Sequence, residues 1–318
     1  MTKDQLISGI AKGDSRALSK AITLAESTVQ AKKDIALEII NHFGPQQESF
    51  RIGVTGTPGA GKSTFIEAIG IELLKEESKK IAVLSIDPSS EKTYGSILGD
   101  KTRMNKLSSH ERAYIRPSSS GGQLGGLAKN TRLAVLLCEA AGYNTILIES
   151  VGVGQGETEI SKLTDLFTLV LNPGGGDELQ GIKRGIMEMA DIIVINKADG
   201  DAEKQARLTA KEYSMALHLM PNNAVKVSGA EAWIPKVITT SSIEGKGIDV
   251  FWEKAFKYQK LTLANNWKVE NRKDQMLYWA KKSVQDLLLA KLKNYEVEIA
   301  KGLAEGKLPE LIAKEIVR

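Results

Sequence analysis

Cysteine is almost absent: Cys138 is the single one in 318 residues. An internal disulfide is therefore excluded, and a reducing compartment fits. Cys138 lies in the apolar stretch 133–141, where an inert core thiol is expected rather than a nucleophile. Histidine is scarce too. His42, His110 and His218 stand far apart and lack metal-ligand spacing. No apolar run approaches the length of a bilayer span, so no membrane segment is expected. The first residues, Met1-Thr2-Lys3-Asp4, are charged and lead into no apolar stretch, so no secretory leader is expected. Excess charge of one sign is also missing. The net charge is only +4, with acids and bases interspersed, which argues against nucleic acid as the main ligand. There is no internal repeat and no low-complexity tract. What remains is a cytoplasmic globular chain, long enough to bury a sizeable core.

What is present is an ordered alternation. Residues up to about 45 read as helices, one capped by Asp14 and another ended by Gly44-Pro45. Short apolar runs then alternate with helical stretches. The runs are 51–55, 81–86, 113–116, 145–148, 166–171, 192–195 and 237–239. Strands that are apolar throughout, separated by helices, form a parallel sheet covered on both faces. From about residue 262 the strand signal stops. Met276, Ala280, Val284, Leu288, Leu292, Tyr295 and Ile299 recur at helical spacing in a Lys-rich stretch. The expected layout is an N-terminal helical extension at 1–48, an α/β core at 49–261 and a C-terminal helical arm at 262–318.

Within the core, Gly56-Thr57-Pro58-Gly59-Ala60-Gly61-Lys62-Ser63 matches the G-x-x-x-x-G-K-[ST] phosphate loop. Glycines let the backbone curl so that successive N–H groups point at phosphate oxygens. The helix starting at Lys62 presents its unsatisfied N–H groups and positive dipole end to the same anion. Lys62 adds a charge for the β and γ phosphates, and Ser63 a hydroxyl for magnesium. A coincidental glycine-rich turn is a poor rival, because an apolar strand precedes the motif and a helix follows it. The core therefore reads as a P-loop NTPase fold.

Asn196-Lys197-Ala198-Asp199 follows the apolar run 192–195. This N-K-x-D box resembles the guanine-specificity motif of GTPases. An ionised Asp199 can only accept hydrogen bonds, and guanine offers N1–H and a 2-amino group on one edge. Adenine would leave the carboxylate unpaired, at a large cost in affinity. Asn196 is expected to tie the box to the phosphate loop, and Lys197 to cover the base. Ser241-Ser242-Ile243, after the last strand, stands where GTPases place a loop whose backbone N–H meets guanine O6.

An acid at a strand end, three residues before a glycine, is Glu149 in Glu149-Ser150-Val151-Gly152. Such acids hold magnesium water and sense the γ phosphate, so Glu149 joins Lys62 as a candidate catalytic residue. Asp87 and Asp100 are further candidates for the magnesium shell, against a bland reading as turn residues. The position that orients the attacking water in small regulatory GTPases is occupied by Val153, with Gln155 two residues on. A slow intrinsic rate, or completion by a partner, is expected.

Beyond these motifs the chain resembles the methylmalonyl-CoA mutase-associated GTPases, the MeaB/ArgK group. The resemblance is carried by residues 53–64 (Thr64 included), 87–90, 95–104, 149–157, 175–186 and 196–201. The stretch 175–186 is the most specific, since nucleotide binding alone does not require it. The resemblance implies a homodimeric GTPase using GTP/GDP and Mg2+. It also implies a role as a chaperone that guards or loads an adenosylcobalamin-dependent acyl-CoA mutase. Asp177, Lys183 and Arg184 are the candidate partner-contact residues. Three rivals fit less well. A kinase of a transport-system binding protein is disfavoured by Asp199. A partitioning ATPase would carry an extra lysine between Gly56 and Gly61, and none is there. A metal-inserting GTPase would want a Cys/His cluster.

Overall fold

The computed structural model describes residues 1–45, 48–87, 104–119, 124–150, 156–174, 184–219 and 233–317. Three helices lead: α1 (Lys3–Ala11), α2 (Ser15–Ala25) and α3 (Gln30–Phe43). Thr2 and Gln5 form a capping box on α1, and Asp14 caps α2 by accepting from the Arg16 N–H at 2.8 Å. Gly44, at φ 65°, ends α3. The core continues with β1 (Phe50–Gly56), α4 (Lys62–Leu73), β2 (Ile81–Asp87), α5 (Asn105–Ser108), β3 (Ala113–Ser119), α6 (Leu124–Ala140) and β4 (Thr145–Ser150). It is completed by α7 (Gly156–Ser161), β5 (Leu166–Leu171), α8 (Arg184–Met189), β6 (Ile192–Ile195), α9 (Ala202–Leu219), β7 (Lys236–Thr239) and α10 (Ile248–Ala264). The rest is helical: α11 (Trp267–Leu292), a short 3-10 turn, α12 (Glu296–Ala304) and α13 (Pro309–Ile316).

The strands form one seven-stranded sheet in the order β3-β2-β4-β1-β5-β6-β7, and every pairing is parallel. This is the parallel α/β architecture that the alternation predicts. Strands β4, β5 and β6 are buried along their whole length, as their largely apolar sequences require. Pro117 lies in β3, an edge strand, where a missing N–H costs least. The chain passes from β4 to β5 across β1. The direction of strand order therefore changes around β1, which opens a crevice at the C-terminal ends of β4, β1 and β5.

On one face α4 packs against α10. Phe65 and Phe251 meet edge to face at 5.1 Å, and the Trp252 indole N–H donates to the Ile69 carbonyl at 2.9 Å. The helix that begins at the phosphate loop is thereby anchored along its length. The leading helices dock on the β3 edge. Ser19 Oγ lies 3.1 Å from Tyr114 Oη, and Arg116 pairs with Glu26 at 2.5 Å. Burial pushes the Tyr114 hydroxyl up to about 12.

By its internal contacts the chain divides into Met1–Asn271 and Arg272–Arg318. The first unit includes the leading helices and the start of α11, where Lys268 Nζ donates to the Ser49 carbonyl at 2.8 Å. Inside the second unit α12 and α13 approach closely. A Cβ on Gly302 would fall 2.8 Å from the Ile312 side chain.

Candidate functional site

Strand β1 delivers the chain into the phosphate loop, and its last residue is already specialised. Gly56 adopts φ 153° and passes so close to β5 that a Cβ would collide with the Val170 carbonyl. At the other end of the loop Gly61 is left-handed, at φ 81°, and starts α4 without any side-chain cap. Its N–H groups at the helix start are thus left for an anion. Lys62 is buried, and its Nζ donates to the carbonyls of Gly56 (3.0 Å) and Thr57 (3.1 Å), lying across the mouth of the loop. Thr57 Oγ1 is buried with no hydrogen-bond partner among the described residues. Pro58 and Gly59 form the exposed tip, Ala60 is buried, and Thr64 faces outward on the first turn of α4.

Beside the loop, Ser63 Oγ donates to Glu149 Oε1 at 2.8 Å, and Ser85 Oγ donates to Glu149 Oε2 at 3.2 Å. In the parallel register Glu149 lies opposite Val54 on one side and Ser85 on the other. Next along β4, Ser150 Oγ donates to Thr55 Oγ1 at 2.7 Å, tying the ends of β4 and β1. Hydroxyl and carboxylate oxygens are the donors a hard divalent cation takes. A Ser63 hydroxyl that gives its proton to Glu149 keeps both lone pairs for such an ion. The residues present therefore fit magnesium. Asp87 ends β2, and its side chain lies outside the described residues; so do Asp100, Val153 and Gln155.

The N-K-x-D box sits across the loop from this carboxylate. Asn196, at the end of β6, is buried and donates from Nδ2 to the Ala60 carbonyl at 2.9 Å. Its Oδ1 accepts from Thr240 Oγ1 (3.1 Å), Ser242 Oγ (2.7 Å) and the Ser242 N–H (3.3 Å). Lys197 takes a left-handed φ of 56° and stretches over the loop, donating to the Gly59 carbonyl at 2.6 Å. Asp199 Oδ2 accepts from Ser241 Oγ at 2.8 Å, and Ser241 Oγ in turn accepts from the Glu244 N–H at 3.2 Å. Ile243 is 81% exposed.

Thus separate sets of hydrogen bonds hold Lys62, Asn196 and Lys197 to the phosphate loop, Ser63 to Glu149, Ser242 to Asn196 and Ser241 to Asp199. Sequence reasoning gave no role to Ser85, Thr55 or Ser150. One signal was available for Ser85. It is the lone hydroxyl in an apolar strand, and a buried polar group must find a partner. Of the candidate partner-contact residues, Asp177 and Lys183 lie outside the described residues. Arg184 begins α8, with its side chain likewise outside them. Cys138 is buried, and burial pushes its thiol far up, as expected of an inert core residue. Among the described residues no cluster of His, Cys, Asp and Glu could hold a metal by itself, and no helix is long and apolar enough to cross a membrane.

Comparison with known proteins agrees with this geometry. The family profile described as "Methylmalonyl Co-A mutase-associated GTPase MeaB" matches residues 18–296. GTPase ArgK of Escherichia coli K12 is 42% identical, over 91% of this chain and 85% of that one. The mouse protein named "Methylmalonic aciduria type A homolog, mitochondrial" is 44% identical, over 98% of this chain and 79% of that one. The crystal structure of a protein named "LAO/AO transport system kinase" superposes with a TM-score of 0.77 at 32% identity, covering 100% of this chain and 98% of that one. Relatives named as GTPases and a P-loop GTPase fold make this chain a GTPase that binds guanine nucleotide. With the profile matched from Leu18 to Glu296, the chain belongs to the methylmalonyl Co-A mutase-associated GTPase family, MeaB.

Proposed function

We propose that the protein is a magnesium-dependent, homodimeric GTPase that assists or protects an adenosylcobalamin-dependent acyl-CoA mutase of the methylmalonyl-CoA type. A cytoplasmic setting is part of the same reading. The observation that carries the nucleotide chemistry is Asn196, the first residue of the base box, which joins the phosphate loop to the turn after β7 through hydrogen bonds to Ala60 on one side and Thr240 and Ser242 on the other. The family match supports the mutase.

The residues divide the work as follows. Backbone N–H groups of the loop and of the start of α4 bind the phosphates. The Lys62 ammonium, now resting on loop carbonyls, turns to the β and γ phosphates as negative charge shifts onto them. Ser63, held by Glu149, offers a lone pair to magnesium, with Asp87 and Asp100 as further candidate ligands. Magnesium, when bound, neutralises charge developing on the phosphate oxygens. Asp199 accepts from the guanine N1–H and 2-amino groups, while Ser241 holds the carboxylate in place. Lys197 and the turn at Ser241-Ser242-Ile243 flank the base.

The structural neighbour is named as a transport-system kinase, which gives a second reading for this chain. The acceptor-only carboxylate of Asp199 favours guanine over adenine.

The mutase is tested by GTP turnover. Adding the mutase to the wild-type protein should raise the rate. Replacing Asp177, Lys183 and Arg184 together by alanine should leave intrinsic turnover near wild type and remove the stimulation. A wild-type rate that no acyl-CoA mutase changes would reject the partner. Stimulation that survives the triple variant would move the contact elsewhere.

A further inference from the structure

Glu149 is held at both carboxylate oxygens by serine hydroxyls that arrive from different elements. Ser63, in the first turn of α4, donates to Oε1 at 2.8 Å. Ser85, directly opposite Glu149 in the β2–β4 register, donates to Oε2 at 3.2 Å and is itself only 3% exposed. The two bonds do different things. The Ser63 hydroxyl has one proton, and giving it to Glu149 aims both its lone pairs away from the carboxylate. That aim holds only while Oε1 stays in place. A glutamate side chain has three torsions, and ordering it costs rotamer freedom. A second donor, fixed in a buried strand, sets the carboxylate plane.

We propose that Ser85 is a positioning residue for magnesium. It orders Glu149 so that the Ser63 hydroxyl is permanently turned toward the ion, and it touches neither ion nor nucleotide. The inference rests on reading Ser63 and Glu149 as the magnesium site. Groups that orient metal ligands typically contribute about 10- to 100-fold in metal affinity.

The test uses the full chain saturated with GDP, with Mn2+ in place of Mg2+, titrated by electron paramagnetic resonance. Ser85→Ala should weaken Mn2+ binding about tenfold or more. Ser85→Thr, which keeps the hydroxyl, should bind Mn2+ close to wild type. GDP affinity, measured in EDTA, should be the same in all three proteins. Wild-type Mn2+ affinity in Ser85→Ala would overturn the proposal. So would a loss of GDP affinity in EDTA equal to the loss of Mn2+ affinity, or a threonine variant as weak as the alanine one, since both mark a packing role. A wild-type protein that binds GDP but takes up no Mn2+ would instead reject the magnesium site itself.

Discussion

Asn196 gathers more of the site than any other single side chain described. Its amide has one donating and one accepting end. The donor holds the phosphate loop at Ala60, and the acceptor gathers Thr240 and Ser242. Gly61 leaves room for it, because a Cβ there would stand 2.8 Å from Asn196 Nδ2. Asp199 is organised in the same way. Ser241 occupies one of its oxygens and restricts where the carboxylate can turn. A carboxylate reads donors and an amide nitrogen reads acceptors, so one substitution should change the preferred base. Asp199→Asn is expected to lower GTP affinity about 100-fold or more and to favour xanthine nucleotides, whose 2-oxo group accepts from the new amide. Competition between GTP, ATP and XTP on the wild type and the variant measures this. Unchanged selectivity would show that another group reads the base.

At the scale of elements, β1, the phosphate loop and α4 work as one unit clamped at both ends. Helices α1 and α2 are capped by Thr2 and Asp14, whereas α4 has no side-chain cap, which suits a helix whose first N–H groups serve a ligand. Upstream, Arg51 on β1 makes a bidentate pair with the buried Glu139 of α6, both contacts at 2.7 Å, and Ser49 Oγ donates to the same carboxylate. Downstream, Trp252 and Phe251 hold α4. Between these anchors the loop has no slack, and Gly56 is where that matters most. Gly56→Ala drives a methyl group into the Val170 carbonyl at a φ of 153°. The expected loss is about 2–4 kcal/mol, from overpacking and backbone strain together. Differential scanning calorimetry should show this as unfolding several degrees lower, with weaker GDP binding. A variant that unfolds at the wild-type temperature would mean that β1 and β5 can separate without cost.

For the molecule as a whole, the contacts define two units meeting in sequence at Asn271 and Arg272. Along α11 many large apolar side chains are exposed, among them Met276, Leu277, Val284, Leu287, Leu288 and Leu289. Exposed apolar side chains in such number suit an interaction surface. They are the reason for assigning self-association to the C-terminal helices. A chain ending at Asn271 keeps Trp267 and Lys268, which pack on Tyr258 and Ser49, so its core should fold. Multi-angle light scattering should report the full chain as a dimer and the shortened one as a monomer with GDP affinity retained. A shortened chain that still dimerises would place the interface on Met1–Asn271.

The parts of this protein that the sequence alone determined are those whose chemistry is contiguous in the chain. The loop from Gly56 to Ser63, the Asp14 cap and the Asn196-Lys197-Ala198-Asp199 box could be read directly, because their residue types act on neighbouring backbone or on the ligand itself. The apolar runs showed a parallel sheet for a similar reason: burial on both faces leaves its mark residue by residue. Strand order left no such mark. That β1 lies between β4 and β5 was decided only when the crossovers closed, and with it the partners of every residue at the sheet ends. Ser85 is 64 residues from Glu149, Arg51 is 88 from Glu139, and Asn196 is 136 from Ala60. A serine in a strand or a glutamate in a helix must satisfy its polar atoms once buried. Which atoms do so depends on the register of strands that are distant in sequence, and only the tertiary structure sets that register.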